Sequence, residues 1–362
     1  MSTSFRVVNW SPFKWRYDIT LGCGIILFLA IYIFISNLLA SPGTETTGII
    51  LVIRALGVCG FTMLTFILCI GPLARISMRW TPLLYNRRHF GVAMFSIAFS
   101  HAVLATLWYH GFGVQNPVVS ILTSGGAYNS FIEFPFQPIG LVALIILLVM
   151  AATSHDYWLT VMGPRAWKSI HIFAYVAYVL LIAHIALGVL QAGVDPIAMI
   201  AVAASIAAVG SLHLAAGFSE RTKDMHPDPA GGDGWIEVGS IDDIPMDAGK
   251  VVVLKGCERV AVFRHGDGFS AISNTCAHQG GPLGEGRIID GCLTCPWHGY
   301  QYIVTNGQSP PPFTERIPTY ELRVQGKTIW LNPEAKKPGT DVAPASLSSS
   351  KSGGDTEVHN AS

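Results

Sequence analysis

Long apolar runs fill the first 216 residues of this 362-residue chain, and shorter apolar runs separated by polar residues fill much of the rest. Six of the long runs approach the length of about 20 residues that a helix needs to cross a bilayer. The first run exceeds the roughly 7–15 apolar residues of a cleaved signal, so we expect it to be retained as a helix. The pattern predicts an all-α bundle of six transmembrane helices. They lie near 19–40, 48–70, 90–110, 136–153, 167–190 and 196–216.

The chain after residue 216 has the pattern of a small soluble domain. Runs such as Val251–Leu254 and Thr328–Leu331 are short, apolar and bounded by turn residues, which is typical of small antiparallel sheets. A polar stretch precedes this domain, and a tail rich in Ser, Lys, Gly and Pro, which we expect to be disordered, follows it. The predicted division is a membrane domain at 1–216, a linker at 217–234, an all-β domain at 235–332 and a tail at 333–362.

Clusters of basic residues fall on only one side of the predicted spans, and Arg54 lies inside the second span near its outer end. Lys and Arg precede the first span, lie between the second and third and between the fourth and fifth, and follow the sixth. The loops at 41–47, 111–135 and 191–195 contain neither residue. Because basic loops stay in the cytoplasm, we expect a multi-pass protein of the cell inner membrane, with both termini and the C-terminal domain cytoplasmic.

Composition agrees with a membrane protein and gives no sign of a nucleic-acid partner. Apolar residues make up 51% of the chain and charged residues 13%, with a mean hydropathy of +0.44, so the chain is more apolar than an ordinary soluble protein. The formal net charge is zero, and a nucleic-acid-binding domain is usually basic.

Two short segments of the C-terminal domain carry cysteine and histidine at ligand spacing. Cys276-Ala-His278 is followed, after sixteen residues, by Cys295-Pro-Trp-His298. This is the ligand set of a Rieske [2Fe–2S] cluster, in which two thiolates hold one iron and two imidazoles hold the other. The alternative is a zinc site, but zinc fingers place a pair of cysteines before a pair of histidines. We therefore predict one cluster held by Cys276, His278, Cys295 and His298.

Residues 235–332 resemble Rieske ferredoxins, from Trp235-Ile-Glu-Val through Asn274-Thr-Cys-Ala-His to Cys295-Pro-Trp-His-Gly-Tyr-Gln-Tyr. The Rieske subunits of quinol–cytochrome c oxidoreductases carry an extra cysteine in each ligand loop and join the two in a disulfide. Gly281 and Trp297 stand at the matching positions here, so that bridge cannot form. The resemblance to the ferredoxin and oxygenase branch implies a potential at the low end of the Rieske range, toward about −150 mV, and a centre that passes electrons onward.

Histidines inside the predicted spans are the second candidate site, because ionisable residues in a membrane are costly and usually functional. His101 lies near the middle of the third span and His184 deep in the fifth, and both spans leave the cytoplasm. At about 1.5 Å per residue, His101 lies about 18 Å beyond Arg88 and His184 about 20 Å beyond His171. These depths allow both imidazoles to bind one haem iron. The alternative is that the histidines only hydrogen-bond neighbouring helices.

The first two hundred residues resemble the ferric-reductase-type transmembrane domain. The resemblance is carried by Arg87-Arg88-His89-Phe90-Gly91, by His101, and by His171 with His184 thirteen residues later. That family includes the haem-binding membrane subunit of the periplasmic methionine-sulfoxide reductase system, eukaryotic ferric reductases and NADPH oxidases. The resemblance implies one or two b-type haems with His101, His171 and His184 as ligands. His89 is a further candidate that would pair with His171, with a plain interfacial role as its alternative.

The two resemblances together predict a membrane electron-transfer protein, an oxidoreductase component. A cytoplasmic reductase or ferredoxin would reduce the cluster, and electrons would pass to b-type haem and an outer acceptor such as a periplasmic protein, ferric iron or quinone. No G-x-G-x-x-G follows a strand, so the Rieske domain takes the place of the flavin and nucleotide module of nicotinamide-dependent relatives.

Other functions remain as alternatives. The first is a quinol- or donor-fed Rieske ferredoxin that supplies a cytoplasmic oxygenase. A second is a redox sensor, in which the oxidation state of the cluster alters membrane partners. An oxygenase in its own right is disfavoured, because the chain after the cluster motif is too short for a catalytic domain that binds iron through two histidines and a carboxylate.

Overall fold

The computed structural model describes residues 12–40, 47–80, 83, 87–123, 128, 130, 133–193, 195–225, 234–256, 258–278, 280–296, 299–311 and 313–346. The chain divides into two compact units, one made of 1–75 and 86–214 and the other of 76–85 and 215–362. The described strands all belong to the second unit. The predicted ligand His298 lies outside the described residues.

The described part of residues 1–225 is helical. Proline opens the first, fourth and eighth helices below, where its missing N–H would have no partner in any case. The helices are α1 (Pro12–Leu39), α2 (Gly48–Ile76), α3 (Arg87–His110), α4 (Pro117–Thr123), α5 (Phe136–Ala152), α6 (Asp156–His171), α7 (Phe173–Ala192) and α8 (Pro196–Met225), with a 3₁₀ turn at Met78–Trp80.

Five helical stretches are long and apolar enough to cross a membrane, and a sixth is close to that length. The sixth is α5, whose 17 residues stand at the short end of the range of about 17–25 that spans a bilayer. The predicted fold class, a helical membrane bundle followed by a small all-β domain, is confirmed. The five stretches are Trp15–Leu39, Gly48–Ile76, Arg87–His110, Ala166–Ala192 and Pro196–Thr222.

Exposure of apolar side chains distinguishes the helices of the first unit. Ala55 in α2, Ala143 in α5 and Ala177 in α7 are fully buried, so small residues line the places where these helices pack. In α1, by contrast, Ile26 and Phe34 are 69% and 67% exposed. A long helix that is apolar on every side is typical of a membrane span, and we infer that these side chains face lipid.

The second unit contains three antiparallel sheets. Their strands are β1 (Ile236–Ser240), β2 (Gly249–Val253), β3 (Arg259–His265), β4 (Gly268–Ser273), β5 (Arg287–Ile289), β6 (Cys292–Thr294), β7 (Gln301–Tyr302), β8 (Thr319–Tyr320), β9 (Leu322–Gln325), β10 (Thr328–Leu331) and β11 (Ala345–Ser346). The first sheet has the order β1–β10–β9, and the second has the order β11–β4–β3–β2 with β8 beside β4. The third has the order β5–β6–β7.

Two buried clusters form the core of the β domain. The first includes Tyr320 and lies among residues of β1 to β4 and β8 to β10. The second includes Leu293 and Tyr302 together with Cys276 and Cys295. The second cluster therefore positions both predicted sulfur ligands within one apolar region.

Residues 333–346 are ordered, which corrects the expected boundary of the disordered tail. β11 pairs with β4, and the Val342 N–H donates to the Thr305 carbonyl at 2.8 Å. No strand pattern is visible in this part of the sequence, because many contacts of the segment are made by its backbone rather than by alternating apolar side chains. Residues 347–362 lie outside the described residues.

The expected linker also begins later than predicted. α8 continues to Met225, so residues 217–225 are helical, and β1 begins at Ile236. Polar residues end an apolar run in the sequence, but they do not by themselves end a helix, because helix propensity depends little on polarity. Residues 226–233 lie outside the described residues, and the other domain boundaries stay predictions.

Candidate functional site

The loop after β4 carries the first predicted ligand pair. The Gly280 N–H donates to the Cys276 carbonyl at 2.7 Å, and the Cys276 N–H donates to the Gly281 carbonyl at 2.9 Å. Gly280 has a φ of 73°, a left-handed conformation that glycine adopts without steric cost. Cys276 is 2% exposed and His278 is half-buried, so the turn buries the thiol and leaves the imidazole nearer the surface.

The loop after β6 repeats the same turn around the second cysteine. The Gly299 N–H donates to the Cys295 carbonyl at 2.9 Å, and the Cys295 N–H donates to the Tyr300 carbonyl at 2.7 Å. Gly299 has a φ of 70°, and Cys295 is 1% exposed. Trp297 and His298 lie outside the described residues, so the fourth ligand of the set stays a prediction.

A tyrosine that the sequence analysis did not single out contacts the first thiol. The Tyr302 hydroxyl lies 3.4 Å from Cys276 Sγ and accepts a hydrogen bond from the Ala277 N–H at 3.0 Å. Burial and the nearby Cys276 raise the pKa of the Tyr302 hydroxyl, so it keeps its proton and can donate that proton to a thiolate at Cys276. Tyr302 lies on β7, two residues after Tyr300. Residues two apart in an extended segment point to the same face, and this spacing was the sequence signal that could have identified Tyr302.

Tyr300 joins the two ligand loops through its side chain. Its ring stacks on the ring of His278, with centroids 4.7 Å apart and planes 10° apart. Its hydroxyl donates to the Glu315 carboxylate, and the Phe313 ring packs on it with centroids 5.0 Å apart. Burial and the Glu315 carboxylate raise the pKa of the Tyr300 hydroxyl, so Tyr300 also stays protonated.

In the helical unit, His101 and His184 lie close together, as the number of residues along their helices predicts. The ring centroids of His101 on α3 and His184 on α7 are 6.5 Å apart, with the planes at 86°. His101 Nδ1 lies 2.8 Å from the Ile53 carbonyl, and His184 Nδ1 lies 2.8 Å from the Phe136 carbonyl. Because a carbonyl only accepts hydrogen bonds, each Nδ1 carries the proton, and the lone pair of each neutral ring is on Nε2.

Two glycines give these imidazoles their space. A Cβ at Gly140 on α5 would lie 2.6 Å from His184 Nδ1, and a Cβ at Gly57 on α2 would lie 3.0 Å from His101 Cε1. Both distances are shorter than an ordinary van der Waals contact, so no larger residue fits without moving the ring. Neither glycine was predicted as part of the site, because isolated glycines in an apolar helix carry no signal of what they face.

His171 lies about 20 Å from His184 at the helical rise of about 1.5 Å per residue. Its ring stacks on Trp167, with centroids 3.6 Å apart and planes 20° apart. Its Nδ1 lies 3.0 Å from the Trp167 carbonyl, whereas its Nε2 is buried and makes no hydrogen bond of good geometry in the described part of the chain, although the Met150 backbone is close to the ring. Like His101 and His184, His171 therefore has one anchored nitrogen and one available nitrogen.

His89 at the start of α3 pairs with an acidic residue on α1. Its Nδ1 lies 2.8 Å and 3.0 Å from the two carboxylate oxygens of Asp18. Metal-binding histidines often donate their other nitrogen to a carboxylate in this way, so the contact agrees with the ligand prediction without testing it. Asp18 was missed because it is 71 positions from His89 in the chain.

These features define a multi-pass helical membrane protein with a small C-terminal iron–sulfur domain. The family model of the Rieske [2Fe-2S] domain matches residues 234–321, and that of the ferric reductase like transmembrane component matches residues 56–182. The chain belongs to the Rieske family and joins its Rieske domain to a ferric-reductase-like transmembrane domain. This combination is that of a membrane electron-transfer protein.

Similar proteins align with the Rieske part of the chain. The anthranilate 1,2-dioxygenase ferredoxin subunit of Burkholderia cepacia is 34% identical over 99 residues, which cover 27% of this chain and 91% of the relative. The ferredoxin component of the alkene monooxygenase system of Xanthobacter autotrophicus is 30% identical, covering 28% of this chain and 82% of the relative. A solved complex of reduced oxygenase and oxidized ferredoxin in carbazole 1,9a-dioxygenase matches at 29% identity with a TM-score of 0.27, covering 28% of this chain and 96% of the solved chain.

Proposed function

We propose that this protein carries single electrons across the membrane, from a cytoplasmic reductase or ferredoxin to an acceptor at the outer face. The observation that carries the proposal is the facing pair of His101 and His184 in a chain that also has a Rieske domain. A Rieske cluster and b-type haem, when bound, supply one-electron redox centres. The acceptor is a periplasmic protein, ferric iron or quinone.

We assign Cys276, His278, Cys295 and His298 as the ligands of the cluster. The two cysteines are buried in one apolar cluster, which excludes water from the thiolates. Their loops share one turn, so both cysteines are held by the same pattern of backbone hydrogen bonds. The Tyr302 hydroxyl donates to Cys276 Sγ, and hydrogen bonds of this kind favour the reduced state of an iron–sulfur centre.

We assign His101 and His184 as the residues that would hold one haem. Their ring centroids are 6.5 Å apart, so both imidazoles can reach one metal ion through bonds of about 2 Å. Both Nδ1 atoms are anchored on backbone carbonyls, so the rings are held in the tautomer that leaves Nε2 for the metal.

We assign His171 and His89 to a second haem nearer the cytoplasmic face. Support comes from the buried, unpartnered Nε2 of His171 and from the carboxylate that anchors His89. Burying an imidazole nitrogen without a partner costs about 1–3 kcal/mol, and a metal ligand role would remove that cost. Trp167 fixes the plane of the His171 ring by stacking on it.

The proposed orientation is a cytoplasmic Rieske domain on a protein of the inner membrane. It rests on the basic residues of the termini and loops, which lie on one side of the spans. A low-potential cluster on the cytoplasmic side suits a centre that receives electrons from a soluble reductase. Flow from the cytoplasm to the outer face follows from this arrangement.

A second candidate function is a membrane-bound ferredoxin that supplies a cytoplasmic oxygenase. It is favoured by the relatives, which are ferredoxin components of dioxygenase and monooxygenase systems by name. In that case electrons arrive from quinol or another donor and leave through the Rieske domain. The two functions differ in whether electrons cross to the outer face.

Inside-out membrane vesicles test the crossing directly. In these vesicles the cytoplasmic face points outward, so dithionite added to the medium reaches the Rieske domain, while ferricyanide trapped inside reports electrons that arrive at the outer face. We expect the trapped ferricyanide to be reduced by vesicles with the wild-type protein. His184→Leu vesicles should reduce it no faster than vesicles that lack the protein.

The same vesicles separate the two candidates. If the wild-type and His184→Leu proteins reduce trapped ferricyanide equally slowly, but electron paramagnetic resonance shows that dithionite has reduced the cluster in both, the transmembrane route is wrong and the ferredoxin function stands. A matched control is Gly60→Ala, whose added Cβ would meet Ala98 at an ordinary 3.7 Å and should leave the rate unchanged.

A further inference from the structure

The ring of Tyr300 lies on the ring of His278, although the two residues belong to different ligand loops. The near-parallel planes, 10° apart, and the 4.7 Å centroid distance are those of an offset aromatic stack, which is a preferred geometry for ring pairs. Tyr300 is 8% exposed, so this contact is shielded from water. The ring of one loop thus limits rotation of the imidazole in the other.

The backbone of Tyr300 is fixed by the second ligand loop. Its carbonyl accepts the N–H of Cys295 at 2.7 Å, the bond that closes the turn around that cysteine. A shift of the second loop therefore moves the Tyr300 ring, and with it the surface on which His278 rests. Tyr300 therefore links the turn around Cys295 to the imidazole of His278.

The far end of Tyr300 is held by a third loop. Its hydroxyl donates to Glu315, whose carboxylate also accepts the Thr314 N–H at 3.1 Å. The Ser309 N–H donates to the Glu315 carbonyl at 2.9 Å. This bond joins the ends of the loop at 309–315 and fixes the backbone that carries the Glu315 carboxylate. The Phe313 ring covers Tyr300 at 5.0 Å.

We propose that Tyr300 is a positioning residue that sets the plane of the His278 imidazole, with Glu315 holding the phenol in place. The proposal rests on the assignment of His278 as a cluster ligand in the proposed function. Groups that orient a metal-binding histidine usually matter for metal retention by about 10- to 100-fold. The orientation of an imidazole on iron also affects the electron paramagnetic resonance spectrum of the reduced cluster, which reports on the ligands directly.

The domain offers a matched control for this role. Tyr320 is likewise a buried tyrosine whose hydroxyl donates to a glutamate, Glu258, at 2.5 Å. It belongs to the core cluster that does not contain Cys276 or Cys295. Loss of Tyr320 should therefore reduce stability through packing and leave the surroundings of the cluster unchanged.

The test compares the full-length wild-type protein with Tyr300→Leu, Tyr300→Phe and Tyr320→Leu. We expect Tyr300→Leu to shift the g values of the reduced cluster and to lose the cluster to a chelator roughly 10-fold faster or more. Tyr300→Phe keeps the ring but loses the bond to Glu315, so its g values should shift less than those of Tyr300→Leu. Tyr320→Leu should lower the melting temperature without changing the g values.

Each outcome decides the proposal. Unchanged g values and unchanged cluster retention in Tyr300→Leu would overturn it, and so would the same shift in Tyr320→Leu. If Tyr300→Leu does not fold, Glu315→Ala decides instead, because it leaves the ring in place and releases its hydroxyl. Shifted g values or broadened lines in the electron paramagnetic resonance spectrum of Glu315→Ala then support the proposal, and an unchanged spectrum overturns it. If the wild type itself has no Rieske spectrum, the cluster assignment fails and the proposed function fails with it.

Discussion

The clearance that Gly140 gives to His184 predicts how sensitive haem binding is to one methyl group. In Gly140→Ala, the new Cβ would lie 2.6 Å from His184 Nδ1 and 2.8 Å from Cε1, whereas ordinary contacts begin at 3.4 Å. The ring must therefore move by roughly 0.8 Å or more. A shift of that size along the hydrogen bond would stretch the Nδ1 distance to the Phe136 carbonyl from 2.8 Å to about 3.6 Å, which is no longer a hydrogen bond.

The expected cost is loss of the orientation of His184 as a ligand. Removal of the partner that orients a metal-binding histidine lowers metal affinity by about 10- to 100-fold, so we expect Gly140→Ala to be purified with much less haem than the wild type. Helix propensity acts in the opposite direction, because alanine is favoured over glycine by about 0.8–1.0 kcal/mol in a helix. A loss of haem therefore cannot be explained by a weaker helix.

The assay is the ratio of haem to protein, measured as the pyridine haemochrome of purified samples. Two further variants calibrate the result. Gly57→Ala meets His101 Cε1 at 3.0 Å and Gly60→Ala meets Ala98 at 3.7 Å, so haem content should fall in the order wild type and Gly60→Ala, then Gly57→Ala, then Gly140→Ala. Full haem content in Gly140→Ala would refute the reasoning that His184 is a ligand in this position.

Three other changes have defined outcomes. Tyr302→Phe removes the hydrogen bond to Cys276 Sγ and should lower the reduction potential of the cluster, measured in a titration followed by electron paramagnetic resonance. If the bond stabilises the reduced state by about 1 kcal/mol more than the oxidised state, the potential falls by roughly 40 mV. An unchanged potential would contradict the role of Tyr302. His171→Leu should reduce haem per protein by about half, and an unchanged ratio would remove the second haem from the account. Lys336 and Asn332 lower the pKa of Glu321, so its ionised form stabilises the fold above the ordinary pKa and this contribution is lost as the pH falls through the lowered value. Glu321→Gln should then lower the melting temperature by about 1 °C at pH 7 and by progressively less as the pH falls below the ordinary pKa, and an effect that does not change with pH would exclude the ion pair as the cause.

The ligand residues of the Rieske domain were predictable because the chemistry fixes their spacing. Cys276 and Cys295 lie in the same buried cluster, as the motif indicates. The turn around each cysteine also follows from sequence, because Gly280 and Gly299 stand four residues after the cysteines. The stacking of Tyr300 on His278 was not predictable, since a tyrosine beside a ligand loop has many rotamers and its contact depends on where the other loop lies.

In the membrane unit, counting residues along helices was enough to pair His101 with His184, because the helical rise is nearly constant. The same counting could not identify their surroundings. Gly140 and Gly57 act by the absence of a side chain, and their effect depends on which helix face packs on which. The contact between Asp18 and His89 depends on the packing of α1 beside α3, and no local pattern encodes it.

The most direct test of the central claim is a redox titration of the purified protein, with optical spectra for haem and electron paramagnetic resonance for the cluster. The account predicts b-type haem with a reduction potential above that of the cluster, so that electrons flow from the cytoplasmic Rieske domain toward the outer face. Absence of haem would leave the helical unit as an anchor only. A haem potential below that of the cluster would reverse the flow and favour a ferredoxin that supplies a cytoplasmic oxygenase.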